Sequence, residues 1–176
     1  MMSTGSATGS VLEYPDPRLR AQSERVTDFD DDLGRLVETL LQTMQAHSAI
    51  GLSAPQLGTA QAVLVIAPTV DLRAPRVYVN PEILGTGSPG LVQESCLSVP
   101  GVSVNVWRAT KLTVRAQDAT GSEFDCALSG LDAVCVQHEM DHFAGKLLVD
   151  RLSFIRRKLV DASVNRAHRR IGAVSP

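Results

Sequence analysis

The apolar positions in residues 33–44 predict an amphipathic helix in the first third of the chain. They recur at helical spacing: Leu33, Leu36, Val37, Leu40, Leu41 and Met44. Three aspartates at positions 30–32 suit the start of this helix, because negative charge complements the positive end of the helix dipole. Glycine and proline follow in quick succession, so we expect the helix to stop near His47.

Shorter segments of the chain predict β-strands. The predicted strands cover residues 62–66, 77–79, 102–107, 111–116 and 123–128. The first two are short apolar runs typical of buried strands, whereas the other three alternate apolar with polar side chains, as half-buried strands do. We expect the last two to pair across a turn. Residues 85–90 are rich in glycine and are predicted to form a loop.

Two further helices are predicted towards the C-terminus. Ser129 or Asp132 could cap a helix that runs through His142, and Gly145 is the residue expected to end it. Ser153 is expected to begin a last helix. The order of these elements predicts an α+β fold, with mostly antiparallel β-sheets around the central helix and one helix towards each terminus.

The length and charge of the chain narrow the function classes. A chain of 176 residues suits one domain, which we place at residues 11–176, after a flexible tail at residues 1–10. There is no apolar run long enough to span a membrane, so no membrane partner is expected. The net charge of −2 gives no reason to expect DNA binding.

The N-terminus and the cysteines predict a cytoplasmic protein. The first dozen residues contain no basic residue, and they lack the apolar centre of a signal peptide and the arginines of a transit peptide. Three cysteines cannot all form disulfides with one another, and an odd count without a secretion signal is typical of a reducing compartment.

Residues 137–142 (Gln-His-Glu-Met-Asp-His) carry candidate metal chemistry. On a helix, His138 and His142 lie four positions apart on one face, where two imidazoles can share a metal ion. Glu139 then lies beside the site and can exchange a proton with water there. The alternative is an ordinary amphipathic helix with two hydrogen-bonded histidines, so a third ligand is needed to decide.

Cys135 is the nearest thiol, but helix geometry argues against it as the third ligand. It lies seven residues from His142, a rise of roughly 10 Å on a helix. Donors that share one tetrahedral metal must lie within about 4 Å of each other. We therefore interpret Cys135 as a small buried side chain behind the metal-binding helix.

The candidates after the motif are also weak, which favours a ligand from upstream. No glutamate follows Glu139, and Leu148 stands where a third histidine would extend the motif. Asp150 and His168 stay as candidates without support from spacing. Cys96 is the strong candidate, because one thiolate and two imidazoles would leave a fourth position for water.

Three segments, in this order, resemble the motifs of peptide deformylases. Residues 51–58 (Gly-Leu-Ser-Ala-Pro-Gln-Leu-Gly), 94–98 (Glu-Ser-Cys-Leu-Ser) and 137–142 are similar to the family patterns G-x-G-x-A-A-P-Q-x-G, E-G-C-L-S and Q-H-E-x-D-H. The resemblance covers roughly residues 11–165. The departures from the patterns are Ala49 for Gly, Ser53 for Ala, Ser95 for Gly and Phe143 for Leu.

The resemblance implies hydrolysis of the N-formyl group from the formyl-methionine that begins new polypeptides. It implies that the metal ligands are Cys96, His138 and His142 and that the general base is Glu139. The donors to the formyl oxygen would be the Gln56 side chain and the Leu97 backbone N–H, and the edge that pairs with the substrate would be Ile50 and Gly51. The methionine pocket would be lined by Ile50, Leu131, Val134, Cys135 and His138. Ferrous iron is the metal that the resemblance implies, whereas the ligand set also suits zinc, nickel or cobalt.

The sequence leaves two other functions undecided, and also the role of one basic surface. The chain could hydrolyse a different N-formyl amine, or bind a metal without catalysis, although Glu139 and Gln56 argue against an inactive relative. The basic stretches at residues 156–158 and 166–170 have two interpretations. The resemblance implies contact with ribosomal phosphates, and the alternative is a solvated helix face.

Overall fold

The computed structural model describes residues 8–68 and 74–172, the last eight of them by backbone alone. Its helices and strands are α1 (Asp31–Ala46), β1 (Gly51–Ser53), β2 (Val63–Ile66), β3 (Arg76–Thr86), β4 (Pro89–Cys96), β5 (Val99–Ala109), β6 (Lys111–Gln117), β7 (Glu123–Ser129), α2 (Gly130–Phe143) and α3 (Phe154–Gly172). The predicted α+β class is confirmed, including the three helices and their order.

Five strands form one antiparallel sheet in the order β1-β2-β3-β6-β7, and β4 pairs with β5 in a separate hairpin. The predicted pairing of the last two strands is confirmed, with Lys111 opposite Ser129. The strands β1 and β4 were missed by the sequence prediction. β1 lies at the end of its sheet, so one of its edges faces away from β2.

The predicted loop at residues 85–90 is wrong. β3 extends to Thr86 and β4 begins at Pro89, which leaves only two residues between the strands. Backbone hydrogen bonds explain the short connection, because the Gly87 N–H donates to the Lys111 carbonyl at 2.9 Å and the Thr110 N–H donates to the Ser88 carbonyl at 3.0 Å. Glycine composition alone does not reveal such partners.

The five-stranded sheet lies between α1 and α2. All four residues of β2 are buried, because successive side chains point to opposite faces and each face is covered by a helix. Val63 and Val65 pack in the cluster that contains the apolar side of α1. Leu64 and Ile66 pack in the cluster that contains α2. The sheet therefore fixes α2 in the centre of the molecule.

α2 begins after its N-cap Ser129, one of the two predicted caps, and ends two residues before Gly145, which has φ +64°. Gly145 also lies so close to Arg20 that a Cβ would come within 2.6 Å of the Arg20 carbonyl oxygen. The Gln137 side chain exchanges two hydrogen bonds with the backbone of Ala109, at 2.8 and 3.0 Å. These bonds connect α2 to the end of the β4–β5 hairpin.

The departures from the family patterns cause no backbone strain. In the described part of the chain, the non-glycine residues with positive φ are Ser48 and Asn80, so neither Ala49 nor Ser95 needs a glycine conformation.

Within residues 8–68 and 74–172, no helix is long and apolar enough to cross a membrane.

Candidate active site

The sulfur of Cys96 and one ring nitrogen from each of His138 and His142 converge at the centre of the molecule. The three atoms lie within 4.8 Å of one another, and the Cys96 sulfur lies 3.4 Å from Nε2 of His142. The last residue of β4 supplies the cysteine, and consecutive turns of α2 supply the histidines. The structure therefore brings together the three ligands predicted from the sequence.

Glu94 orients His138. Nδ1 of His138 donates to Oε2 of Glu94 at 2.8 Å, which leaves Nε2 to face the convergent site. Such a carboxylate–histidine pair fixes the ring of a metal ligand and increases its basicity. Burial alone would raise the pKa of Glu94, but hydrogen bonds from His138 and Arg108 lower it to about 2. The Glu94 carboxylate is therefore ionised at neutral pH.

Arg108 compensates the buried charge of Glu94. Its Nε and Nη2 donate to the two carboxylate oxygens of Glu94 at 2.7 and 3.0 Å, and its Nη1 lies 2.9 Å from Oδ2 of Asp141. Asp141 also accepts a hydrogen bond from Arg151 at 3.0 Å. Neither Glu94 nor Arg108 was predicted from the sequence as a site residue, and the structure places both behind His138.

The buried donors fit a divalent transition metal. His142 is only 1% exposed, and its Nδ1 has no hydrogen-bond partner among the described residues. Burial, and then the positive charges of His138 and Arg108, lower the pKa of His142 to about 3. His142 is therefore a neutral imidazole at pH 7, the form that binds metals. One sulfur and two imidazoles suit iron, zinc, cobalt or nickel.

Glu139 is a buried carboxyl group next to the three donors. It is 4% exposed, and its Oε2 has no hydrogen-bond partner within the described residues. Burial raises the pKa of Glu139, whereas the charge of His138 and a hydrogen bond with Ser53 act in the opposite direction. A carboxyl group with a raised pKa is suited to both accept and release a proton.

The side chain of Gln56 reaches the site from the opposite wall. Gln56 belongs to a 3-10 turn, Ala54–Leu57, that directly follows β1. Its Nε2 donates to the hydroxyl of Ser98 at 3.2 Å and lies 3.5 Å from the Cys96 sulfur. Leu97 occupies the turn between β4 and β5 and lines the same cleft. Both predicted oxyanion donors therefore border the convergent ligands.

A cleft of about 870 Å³ opens from this site to the surface. All the predicted substrate-binding residues line it: Ile50, Gly51, Leu131, Val134 and Cys135. A Cβ at Gly51 would lie 2.4 Å from the Cys135 sulfur and 2.9 Å from Oε1 of Glu139, so only glycine allows β1 to pack this closely on α2.

The N-terminal segment forms part of the same cleft. Gly9, Ser10, Val11 and Glu13 are among its lining residues. The Gly9 N–H donates to Oγ1 of Thr43 at 2.8 Å, and the Leu12 N–H donates to the Gln56 carbonyl at 2.8 Å. Residues 1–7 of the predicted flexible tail lie outside the described residues, and that prediction stays untested.

Sequence comparison relates most of the chain to a known family. The polypeptide deformylase family model matches residues 9–158. Peptide deformylase of Hahella chejuensis is 41% identical over 160 residues, which cover 90% of this chain and 95% of that protein. Peptide deformylase of Alkalilimnicola ehrlichii is 45% identical over 151 residues, which cover 85% of each chain.

Solved structures resemble the fold over nearly its whole length. A crystal structure of a peptide deformylase from Legionella pneumophila superimposes with a TM-score of 0.86 at 39% identity, covering 97% of this chain and 100% of that one. Peptide deformylase from Ehrlichia chaffeensis in complex with actinonin gives a TM-score of 0.86 at 30% identity, with 93% and 99% coverage.

Proposed function

The chain belongs to the polypeptide deformylase family and is a metal-dependent hydrolase that removes the N-formyl group from the formyl-methionine of new polypeptides; from this premise we propose how its own residues perform the reaction. The observation that carries the proposal is the convergence of Cys96, His138 and His142 beside the buried carboxyl group of Glu139. The three convergent side chains would hold the metal, and Glu139 would move the proton.

Glu139 acts as general base and then as general acid. Cys96, His138 and His142 would hold a divalent ion, which when bound would lower the pKa of water at the site towards neutrality. Glu139 accepts a proton from the attacking water and delivers it to the amine nitrogen as the C–N bond of the formyl amide breaks. The products are formate and a polypeptide with a free N-terminal amine. The raised pKa of Glu139 supports this double role.

Gln56 and Leu97 stabilise the oxygen of the formyl group as it becomes negatively charged. The Gln56 amide and the Leu97 backbone N–H are the proposed donors, and both border the ligands from the wall opposite α2. Donors that are fixed before the reaction stabilise developing charge without having to reorganise, and each typically contributes about 3–4 kcal/mol.

The edge strand β1 provides a place for the substrate backbone. Ile50 and Gly51 line the cleft on the side of β1 that faces away from β2. An extended peptide can add to such an edge through main-chain hydrogen bonds. The methionine side chain then lies against Leu131, Val134 and Cys135 of α2, where apolar surface surrounds it.

We propose ferrous iron as the physiological metal and the cytoplasm as the location. The sulfur and imidazole donors suit ferrous iron as well as zinc, nickel or cobalt, and the family resemblance favours iron. Because the substrates are new formylated polypeptides, the enzyme is expected where those polypeptides are made.

Anaerobic protein loaded with ferrous iron is expected to release formate from a formyl-Met peptide. Nickel-loaded protein is expected to do the same, because the proton-transfer and oxyanion residues are unchanged. Formate and the free amine are measured together, with formyl-Ala and formyl-Leu peptides of equal length and free formyl amines as alternative substrates. A metal-loaded protein that turns over none of them would contradict the enzymatic role, and preference for a non-peptide formyl amine would reassign the substrate.

We also propose that α3 contacts ribosomal phosphates. Arg156 and Lys158 are exposed on its first turns. Tyr14 anchors the helix through a hydrogen bond from its hydroxyl to Asp161 at 2.8 Å, and Arg157 is held near Asp150 at 3.3 Å. The side chains of residues 166–170, the rest of the predicted basic stretch, lie outside the described residues.

Charge reversal at Arg156 and Lys158 is expected to weaken co-sedimentation with ribosomes and to reduce its dependence on salt concentration. Each lost phosphate contact lowers the salt slope by about one. Reversal of Arg25 and Arg35, which are exposed at the opposite end of the chain, is the matched control. Equal binding by both double variants would leave the basic face of α3 as ordinary solvated surface.

A further inference from the structure

The orientation of the Gln56 amide group is fixed by one neighbouring residue. Oε1 of Gln56 accepts two hydrogen bonds from Ser53, one from its backbone N–H at 2.9 Å and one from its hydroxyl at 3.0 Å. Nε2 of the same amide points the other way, to the Ser98 hydroxyl and the Cys96 sulfur. Each end of the amide therefore has its own set of partners.

Rotation of this amide by 180° is disfavoured because it would turn the NH₂ group towards the donors of Ser53. A backbone N–H can only donate, and two facing donors leave both unsatisfied. Gln56 is 2% exposed and Ser53 is 0% exposed, so water does not replace a lost partner at low cost. The two bonds from Ser53 thus select the orientation in which the amide N–H groups face the metal ligands.

We propose that Ser53 is a positioning residue for the reaction, whose hydroxyl holds the Gln56 amide with its N–H directed at the formyl oxygen. This inference rests on the proposed role of Gln56 as an oxyanion donor. Alanine at position 53 would keep the backbone bond to Gln56 and lose the hydroxyl group, together with its hydrogen bonds to Gln56 and to Glu139. Because Gln56 Oε1 can only accept, the Ser53 hydroxyl must donate its single proton to form the bond with Gln56.

Ser53→Ala is therefore expected to lower kcat by about threefold to tenfold, the kinetic equivalent of one neutral hydrogen bond. KM for a formyl-Met peptide is expected to stay unchanged, because Ser53 does not line the cleft. Ser23→Ala is the matched control, since the Ser23 hydroxyl is buried and has no hydrogen-bond partner among the described residues. It should leave both constants unchanged.

A double-mutant cycle with Gln56→Ala tests whether Ser53 acts through Gln56. In the Gln56→Ala background, Ser53→Ala is expected to cause a smaller loss of kcat than in the wild-type background, because the group that it positions is gone and only its contact with Glu139 can still contribute. An equal loss in both backgrounds, or no loss in either, would overturn the role of Ser53 while leaving the proposed function in place. If Gln56→Ala itself keeps full kcat, the oxyanion role of Gln56 fails, and the positioning role fails with it.

The side-chain amide signals of Gln56 in the NMR spectrum of the zinc-loaded protein give a second test that is independent of turnover. Ser53→Ala is expected to shift both amide protons and to speed their exchange with solvent, and Ser23→Ala to leave them unchanged. Unchanged Gln56 signals in Ser53→Ala would overturn the proposal, because the amide would then be held without the hydroxyl.

Discussion

Replacement of Glu139 by alanine is expected to lower kcat on a formyl-Met peptide by about 10²–10⁴-fold, the usual contribution of a positioned general acid–base group. The metal content should stay the same, because the three convergent donors do not include Glu139. The expected loss falls on kcat, since the carboxyl group is needed only as protons move. Formate release and metal analysis on the same preparation measure both quantities.

The stability of the Glu139 variant provides a further check. The Glu139 carboxyl group is buried, and its Oε2 lacks a hydrogen-bond partner in the described structure. A buried polar group without its bonds typically costs about 1–3 kcal/mol. Alanine removes this cost but leaves a small cavity that destabilises the protein. Because the two effects oppose each other, the melting temperature should change little. Glu82→Ala, at an exposed position of β3, is the control. Loss of metal together with activity would mean that Glu139 has a structural role.

The sequence predicts those parts of the fold in which one side of an element is buried. The stripe on α1 and the alternation in β6 and β7 arise because one face packs and the other meets solvent, and the structure confirms these elements. β1 has only three residues, all buried. It has no alternation to detect, and its position depends on β2 and α2, which are distant in sequence.

Glu94 and Arg108, which lie behind His138, are indicated by the alternation of buried and exposed positions along β4 and β5. Val104 and Val106 are buried on one side of β5, and the same alternation places Arg108 on that side. An arginine on the buried side of a strand requires an acidic partner, because an unpaired buried charge is costly. Glu94 lies on the buried side of β4, two residues before Cys96. This register could have predicted the ion pair.

The contact of Gly9 could not have been predicted in this way, whereas that of Ser53 has a local pattern. Ser53 replaces alanine in the family pattern, and a serine three residues before a glutamine has the capping-box spacing, in which side chains bind backbone groups of the same turn. The structure adds the direct bond between the Ser53 hydroxyl and Gln56. The Gly9 N–H is bound by Thr43, which is 34 residues away. The Gly9 contact depends on how the N-terminal segment packs on α1, and no local pattern records that packing.

Replacement of Cys96 by alanine is expected to remove most of the bound metal, whereas Cys135→Ala is expected to retain it. The Cys96 sulfur belongs to the convergent donor set, but the Cys135 sulfur points to the Ile50 carbonyl at 3.5 Å. Burial raises the pKa of the Cys135 thiol well above its usual value, so it stays protonated at neutral pH, whereas a metal-binding sulfur must lose its proton.

Metal analysis after dialysis against a weak chelator measures the difference between the two cysteine variants. Loss of a group that only orients a ligand costs about 10–100-fold in metal affinity, and loss of Cys96 itself should cost more. Cys135→Ala is the matched control, since it removes the same atoms from a buried position of the same cleft. Cys135→Ala should lower stability by about 1 kcal/mol.

Cobalt-loaded protein adds a spectroscopic readout, because the absorption band of a thiolate bound to cobalt should disappear only in Cys96→Ala. If that band disappears in Cys135→Ala and persists in Cys96→Ala, the third ligand lies on α2, and the geometric argument against it is wrong.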